Sequence, residues 1–317
     1  MQPVVLSRPW PEDVDAITAA LADWDTVRWL TTVPWPYRIT DAQAFVARAS
    51  LDEHAIRVDD RLAGVVQAGR AFGLWIAPER QGQGIGRRAS VLALSRLFRT
   101  GATDVRTRCL IGNERSRRLL NWLGFQPIEE VQLFSASQGR SVAAMSLRLS
   151  CTDFASRHGF TLRTPRLHID PVVPADLPDL RRIASLPQIT DLDAPFLWES
   201  SGCGLLPPLS LAVRLKGRVI GAVCLDGGEA VRLSLVLDPA LWGQGLGQEM
   251  AAAVLAEMTA RLGPTEMVAQ VALDNLAARK IMKNLGFRRA EDVALPEMGA
   301  DAPAKAALYR WRPGLLS

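Results

Sequence analysis

Apolar and polar positions along the chain fall into one series of elements, and that series occurs twice. Apolar residues recur at helical spacing over residues 11–24, behind a proline start, and an aromatic stretch follows over 29–37. A second helix is predicted to open at Thr40 or Asp41, both good cap formers. Residues 54–58, 62–68 and 71–76 read as an antiparallel meander with Asp59 and Asp60 at its first turn. A glycine loop then leads into a helix over 87–99, a strand over 105–110, a helix over 113–123 and a hairpin across Ser137, Gln138 and Gly139. The second half repeats the order: strands 209–215, 218–225 and 231–237, a loop, a helix 248–262, a strand 267–273 and a helix 275–285. Its front differs, because 187–208 holds four prolines, two glycines and no convincing second helix.

The repetition extends to single residues. Gly82, Gln83, Gly84, Ile85 and Gly86 reappear as Gly243, Gln244, Gly245, Leu246 and Gly247, 161 positions on. Asn113, Arg117, Leu123, Gly124 and Phe125 reappear as Asn275, Arg279, Leu285, Gly286 and Phe287, 162 positions on. Two homologous domains follow, at 1–150 and 162–317, with residues 151–161 as the linker. A strand, loop, helix, strand order demands a parallel strand pair inside an otherwise antiparallel sheet, so each domain is expected to be α/β (α+β).

Composition narrows the setting. With 317 residues, 48% hydrophobic and 22% charged, the chain can bury two ordinary cores, and no apolar run is long enough to span a bilayer. The N-terminus does not read as a signal peptide, so a cytoplasmic protein without membrane contact is expected. Cys109, Cys151, Cys203 and Cys224 show neither disulfide nor zinc-site spacing and read as buried thiols. Residues 1–150 carry 19 arginines against 15 acids, whereas the remainder is balanced at 18 of each, which makes the first half the better anion binder. No basic block or basic stripe interleaved with aromatics points to nucleic acid.

A strand that runs into glycines and then a helix gathers backbone N–H groups and the positive end of the helix dipole at one spot, which favours a phosphate. Gly84, Gly86 and Ala89 also fit the dinucleotide GxGxxA spacing. Against that reading, antiparallel strands precede the loop, Asp104 lies before the next strand, and Met250 stands in place of Ala89 in the second copy.

Both halves resemble GNAT-superfamily N-acetyltransferases. The likeness rests on a Q/R-x-x-G-x-G/A loop met by Gln81, Gly84 and Gly86, and on the helix carrying Asn113, Ser116, Leu123, Gly124 and Phe125. In the second copy Trp242 replaces the Gln/Arg, a form that resembles the ribosomal-protein alanine acetyltransferase branch. Trp29, Pro34, Trp35, Pro36 and Tyr37, followed by Asp41, Ala42 and Phe45, extend that likeness. The resemblance implies two tandem domains, each a mostly antiparallel sheet flanked by helices, with acetyl-CoA lying between splayed parallel strands and its pyrophosphate on the glycine loop. The cofactor residues it implies are Leu74, Trp75, Ile76, Gln81 to Gly86 and Arg87 in the first half. In the second they are Leu235, Val236, Leu237, Trp242 to Gly247 and Asn275.

The implied reaction is direct attack of a primary amine on the thioester, with a peptide N-terminus or a small amine as acceptor. It leaves three tasks: holding the carbonyl oxygen, removing a proton from the amine and returning one to the thiolate. Backbone N–H groups near Leu74 to Ile76 take the first. The tyrosine that usually takes the third is absent, because Leu120 and Met282 occupy its positions. Ser116, one helical turn earlier, is either the substitute donor or a helix residue bonded to backbone, and Ala278 is its inert counterpart. Asn113 either touches the cofactor or caps its helix. Asp25, Glu53, His54 and Glu79 border the cleft as bases or as solvated groups, and Trp29, Trp35 and Tyr37 either wall the acceptor or pack between helices. Arg87, Arg88, Arg115, Arg117 and Arg118 either reach phosphates or lie on solvated faces. The first domain is expected to be catalytic, the second a binding or structural copy, and the chain a monomer or weak homodimer. The alternative is a non-catalytic acyl-CoA-binding sensor or scaffold.

Overall fold

A computed structural model describes residues 4–189, 210–226, 230–262, 267–295 and 304–311. The chain divides into two compact units, 2–157 and 158–317 with Met1.

In the first unit strands β1 (Val5–Ser7), β2 (Glu53–Val58), β3 (Arg61–Ala68) and β4 (Phe72–Ile76) form an antiparallel sheet in that order. A second sheet holds β5 (Asp104–Leu110), β7 (Arg140–Ser150) and β6 (Gln126–Ser135), again antiparallel. The two sheets touch through β4 and β5 at a single parallel bridge, Ala71 to Arg106, and diverge beyond it. The predicted parallel pair is therefore a split. Helices α1 (Val14–Leu21), α2 (Trp24–Val27) and α3 (Ile39–Arg48) cover one face, where Ile17, Leu21, Val27 and Ala42 pack with Leu62 and Trp75. Helices α4 (Ile85–Arg99) and α5 (Glu114–Leu123) lie on the other face.

The stretch expected as linker is mainly helix. α6 (Cys151–His158) buries Cys151 and Phe154, and Phe154 sits 5.4 Å from Phe98 of α4. An aromatic side chain with no exposure is core, so this segment completes the first unit rather than leaving it.

The second unit has one continuous sheet whose order is β14, β15, β13, β12, β11, β10, β9, β8. Its strands are β8 (Leu162–Arg163), β9 (Leu167–Pro171), β10 (Ser210–Leu215), β11 (Arg218–Asp226), β12 (Val231–Leu237), β13 (Met267–Ala272), β14 (Arg288–Leu295) and β15 (Ala304–Trp311). Here too the parallel pair, β12 with β13, lasts only two residue pairs, from Val231 opposite Met267 to Arg232 opposite Val268. Helices α7 (Leu177–Ala184), α8 (Leu246–Leu262) and α9 (Leu276–Asn284) flank the sheet. Most of the proline-rich segment 187–208 lies outside the described residues, as does Cys203. The other three cysteines are buried, with no disulfide among the described residues.

Each unit carries the same buried charge lock. Asp13 accepts the Trp10 N–H at 2.7 Å, which fixes the helix start, and pairs with Arg57 of β2 at 2.7 Å. Asp176 accepts the Val173 N–H at 3.0 Å and pairs with Arg214 of β10 at 2.8 Å. One carboxylate thus ties the entry of the first helix to the sheet, using a charge-assisted fork. In both units a bulge precedes that arginine, between Ile56 and Arg57 and between Val213 and Arg214.

Candidate active site

The split between β4 and β5 opens a cleft of about 1860 Å³ that lies wholly within the first unit. Its walls bring together the glycine loop, the inner edge of β4, the start of α5 and the segment between α2 and α3. Separation of the strands leaves the inner edge of β4 beyond Ala71 without a strand partner. Two side chains take the carbonyls at its ends. The Thr107 hydroxyl donates to the Phe72 carbonyl at 2.7 Å, and the Gln81 amide donates to the Ile76 carbonyl at 2.9 Å. Leu74, Trp75 and Ile76 line the cleft between them.

Glycines at 64 and 221 set this geometry. A Cβ on Gly64 would fall 2.2 Å from the Trp75 carbonyl oxygen, and one on Gly221 would fall 2.2 Å from that of Val236. Only a hydrogen fits there. The pair stands in a repeated Arg-x-x-Gly-x-Val, residues 61–66 and 218–223, a signal in the sequence that the reading above did not use.

In the loop itself Gly82 and Gly84 have φ +77° and +72°, and Gly243 and Gly245 have φ +79° and +76°. Gly82, Gly84 and Gly86 line the cleft, and a Cβ added to Gly82 or Gly84 would project into open space. Left-handed backbone, rather than crowding, is what selects glycine at those two positions. The loop ends at the N-terminus of α4, whose first-turn N–H groups have no intrahelical acceptor. A loop with open space above it, set before a helix start, fits a phosphate-bearing group such as the pyrophosphate of CoA.

Around this loop Arg80, Arg87, Arg115 and Arg118 line the cleft. Arg115 bonds the Gln81 side-chain oxygen, and Arg87 stacks on Trp122 with 5.0 Å to the ring centroid. Arg88 instead turns back to the Gln83 carbonyl at 3.3 Å, and Arg117 pairs with Glu114 on the exposed face of α5. In the second unit Arg166 donates to the matching Gln244 carbonyl at 2.8 Å while paired with Glu249 at 2.6 Å. The second loop therefore has a guanidinium beside it, drawn from the β8–β9 turn and not from the helix that follows the loop.

Asn113 and Asn275 cap their helices, accepting the N–H of Ser116 at 3.1 Å and of Ala278 at 2.9 Å. Ser116 and Asn113 both line the cleft. The Cys109 thiol donates to the carbonyls of Leu110 at 3.7 Å and Asn113 at 3.8 Å, and burial pushes it up, against a smaller lowering by the nearby Ser116 hydroxyl. Leu120 is buried at 2% exposure and Met282 equally so.

On the opposite wall Trp29 and Tyr37 line the cleft, whereas Trp35 does not; it packs on Trp24 with 5.2 Å between ring centroids. Tyr37 is pushed up to about 12, first by burial and then by Asp41. Of the four acid–base candidates, Asp25 and Glu53 line the cleft. His54 is 4% exposed and is pushed down to about 4 by burial and by Arg96 of α4, which leaves it neutral and outside the cleft walls. Glu79 lines a separate, smaller hollow with Trp10 and Arg57. The segment above the cleft is tied to the β6–β7 hairpin, since Ala136 N–H donates to the Thr31 carbonyl at 2.8 Å and the Gln138 amide to the Arg28 carbonyl at 2.9 Å.

Among the described residues no helix is long and apolar enough to cross a membrane, and no group of three or more His, Cys, Asp or Glu could hold a metal ion.

The family model described as an acetyltransferase (GNAT) domain matches the chain at residues 4–126 and again at 166–288. Solved structures that resemble it include a GNAT-family acetyltransferase from Bacillus anthracis, 16% identical over 48% of this chain and 98% of that one, with a TM-score of 0.40. Others are the ribosomal-protein-S5-alanine acetyltransferase from Vibrio fischeri, 12% identical over 50% and 99% with TM-score 0.41, and the microcin C7 self-immunity acetyltransferase MccE, 17% identical over 47% and 92% with TM-score 0.41. The last was solved in complex with acetyl-CoA and AMP. No curated protein matches the chain.

Proposed function

The chain belongs to the GNAT acetyltransferase family through both of its halves, and from that premise we propose that its first domain transfers an acetyl group from acetyl-CoA to a primary amine in a ternary complex. The observation that carries the proposal is that the open glycine loop, the unpaired edge of β4 and the wall of Trp29 and Tyr37 line one continuous cleft of the first unit.

Acetyl-CoA supplies the activated acetyl group. The first turn of α4, with Arg80, Arg87, Arg115 and Arg118 around the loop, is suited to hold phosphates. Backbone N–H groups of Leu74 and Ile76, which face the split while that of Trp75 faces β3, are suited to receive the carbonyl oxygen, where charge develops during attack. Asp25 and Glu53 remain as acceptors for the amine proton; Asp25 is paired with Arg28 at 3.2 Å, and Glu53 accepts the Ser50 N–H at 3.0 Å. Ser116 lines the cleft one helical turn before Leu120 and is the hydroxyl we assign to the role left by the missing tyrosine. The second domain, with Ala278 and Met282 at the matching positions, is read as a binding or structural copy.

Thiol release from acetyl-CoA, measured across amine and peptide panels, tests this reading; silence across all of them would leave the alternative of a non-catalytic acyl-CoA binder. Ser116→Ala is expected to lower turnover about 10- to 100-fold with little change in acetyl-CoA affinity, the lower end of a general-acid contribution. Unchanged turnover removes Ser116 from the mechanism.

A further inference from the structure

Side chains on β5 alternate between the two faces of its sheet. Cys109 faces the start of α5, where its thiol donates to the Asn113 carbonyl at 3.8 Å, and Val105 and Thr107 are buried in phase with it. Arg106 and Arg108, one residue out of phase, are exposed and line the cleft on the opposite side, toward the segment carrying Trp29 and Tyr37. Arg70 adjoins them, because its neighbour Ala71 bridges to Arg106. Arg48 reaches the same cleft from the end of α3.

None of these four guanidinium groups makes a hydrogen bond or ion pair among the described residues. Of the acids that line the cleft, Asp25 is paired with Arg28, Asp41 accepts the Arg38 N–H, and Glu53 accepts the Ser50 N–H. Glu129 lies one strand beyond Arg108, across Ser146 of β7, and makes no bond to it, and the nine arginines of the lining outnumber its six acids. Unpaired guanidinium groups in a concave site attract anions and repel cations.

We infer that the amine acceptor of the first domain carries a carboxylate or phosphate, held by Arg106 and Arg108 with Arg70 beside them, and that polycationic amines are poor acceptors. This rests on the acetyltransferase reading of the same cleft. Register sets their place. Arg106 stands at the Ala71 bridge and Arg108 two residues beyond it, so both guanidinium groups sit where the two strands begin to part, at the closed end of the split.

The test uses the full chain with acetyl-CoA and two matched acceptor series. One is phosphoethanolamine, ethanolamine and spermidine; the other is the peptides Ala-Glu-Glu, Ala-Gln-Gln and Ala-Lys-Lys. The anionic member of at least one series is expected to exceed its neutral and cationic partners in kcat/KM by about tenfold or more, the size of a charge-assisted hydrogen bond. Which series responds separates a small phosphoamine from an acidic peptide. The Arg106→Gln/Arg108→Gln double variant is expected to abolish the preference while leaving the neutral members within about twofold, and added salt is expected to narrow it. A cationic or neutral acceptor that is fastest in both series, or a double variant that slows every member equally, overturns the inference. Calorimetric titration of phosphoethanolamine and Ala-Glu-Glu into the CoA-saturated protein is read beside turnover. Binding that is lost in the double variant, with no thiol release from any acceptor, keeps the anion site and overturns the acetyltransferase reading. Absence of arginine-dependent binding overturns the anion site.

Discussion

In the first unit the carbonyl of Ile76 receives an amide proton from Gln81 at 2.9 Å; in the second the carbonyl of Leu237 receives an indole proton from Trp242 at the same 2.9 Å. A similar exchange occurs one turn on. The carbonyls of Gln83 and Gln244 each accept from a guanidinium, but one arginine comes from α4 and the other from the turn between β8 and β9. What the two copies hold in common is a set of backbone carbonyls that must be met where a strand leaves its neighbour. The side chain that meets them is interchangeable, because a buried or half-buried carbonyl needs a donor and not a particular residue.

The comparison breaks most visibly at the buried charge locks. Asp13→Ala leaves Arg57, 5% exposed, without its carboxylate, and the expected loss is about 3–5 kcal/mol of first-unit stability, as for one partner removed from a buried pair. Asp176→Ala is expected to cost clearly less, since Arg214 is more exposed and retains Asp170 at 2.9 Å. Denaturant titration followed by hydrogen exchange, which assigns each transition to its half, measures both; equal losses would mean that Asp170 gives no support.

Acid is expected to separate the units next. His54 titrates near 4 in the fold and near 6.5 when unfolded, so between those values the unfolded chain binds a proton that the folded unit excludes. Stability of the first unit should therefore fall as pH drops through that window, by about 1.4 kcal/mol per pH unit. At the same place before the bulge the second unit has Leu211, fully buried and without charge. His54→Leu should flatten the first unit's acid limb in a pH series of unfolding midpoints, and an unchanged slope would assign the loss to other groups.

The smallest effect sharpens the loop comparison most directly. Trp242→Phe keeps a ring but removes the donor and is expected to cost about 1 kcal/mol, whereas Trp242→Gln restores a donor and should stay within about 0.5 kcal/mol of the parent. The reverse order, in the same unfolding assay, would show that ring contact and not the hydrogen bond holds the second loop.

Much of this was legible. Period-2 and helical patterns located the meander, the loop and the two helices that follow it in each half to within about two residues, because those patterns are clean; the helix expected over 11–24 instead ends at Leu21 and a separate α2 covers Trp24–Val27, and α7 was not foreseen. The aromatic stretch was legible as a group, though not Trp35, which stacks on Trp24 instead of entering the cleft. The charge locks were not, since Asp13 and Arg57 are 44 positions apart and a lone buried acid reads as a helix-start residue. The helix over 151–158 was missed because its short amphipathic run follows a strand with no glycine or proline between them. Arg166 was not legible for a related reason: its guanidinium arrives from another strand pair, 78 positions before the carbonyl it meets.

The divided sheet also bears on how this chain stays apart from its neighbours. Any strand whose N–H and C=O groups lack a partner can pair with a foreign chain. The inner edge of β4 is such a strand, yet its usable length is short: Thr107 occupies the Phe72 carbonyl, Gln81 occupies that of Ile76, and of the residues between only Leu74 turns its backbone groups to that edge, since those of Gly73 and Trp75 face β3. One residue is too little to seed a stable ladder, while it can still meet one amide of an extended ligand arm. Strand invasion is thus resisted by the same two side-chain bonds that bound the cleft's backbone edge.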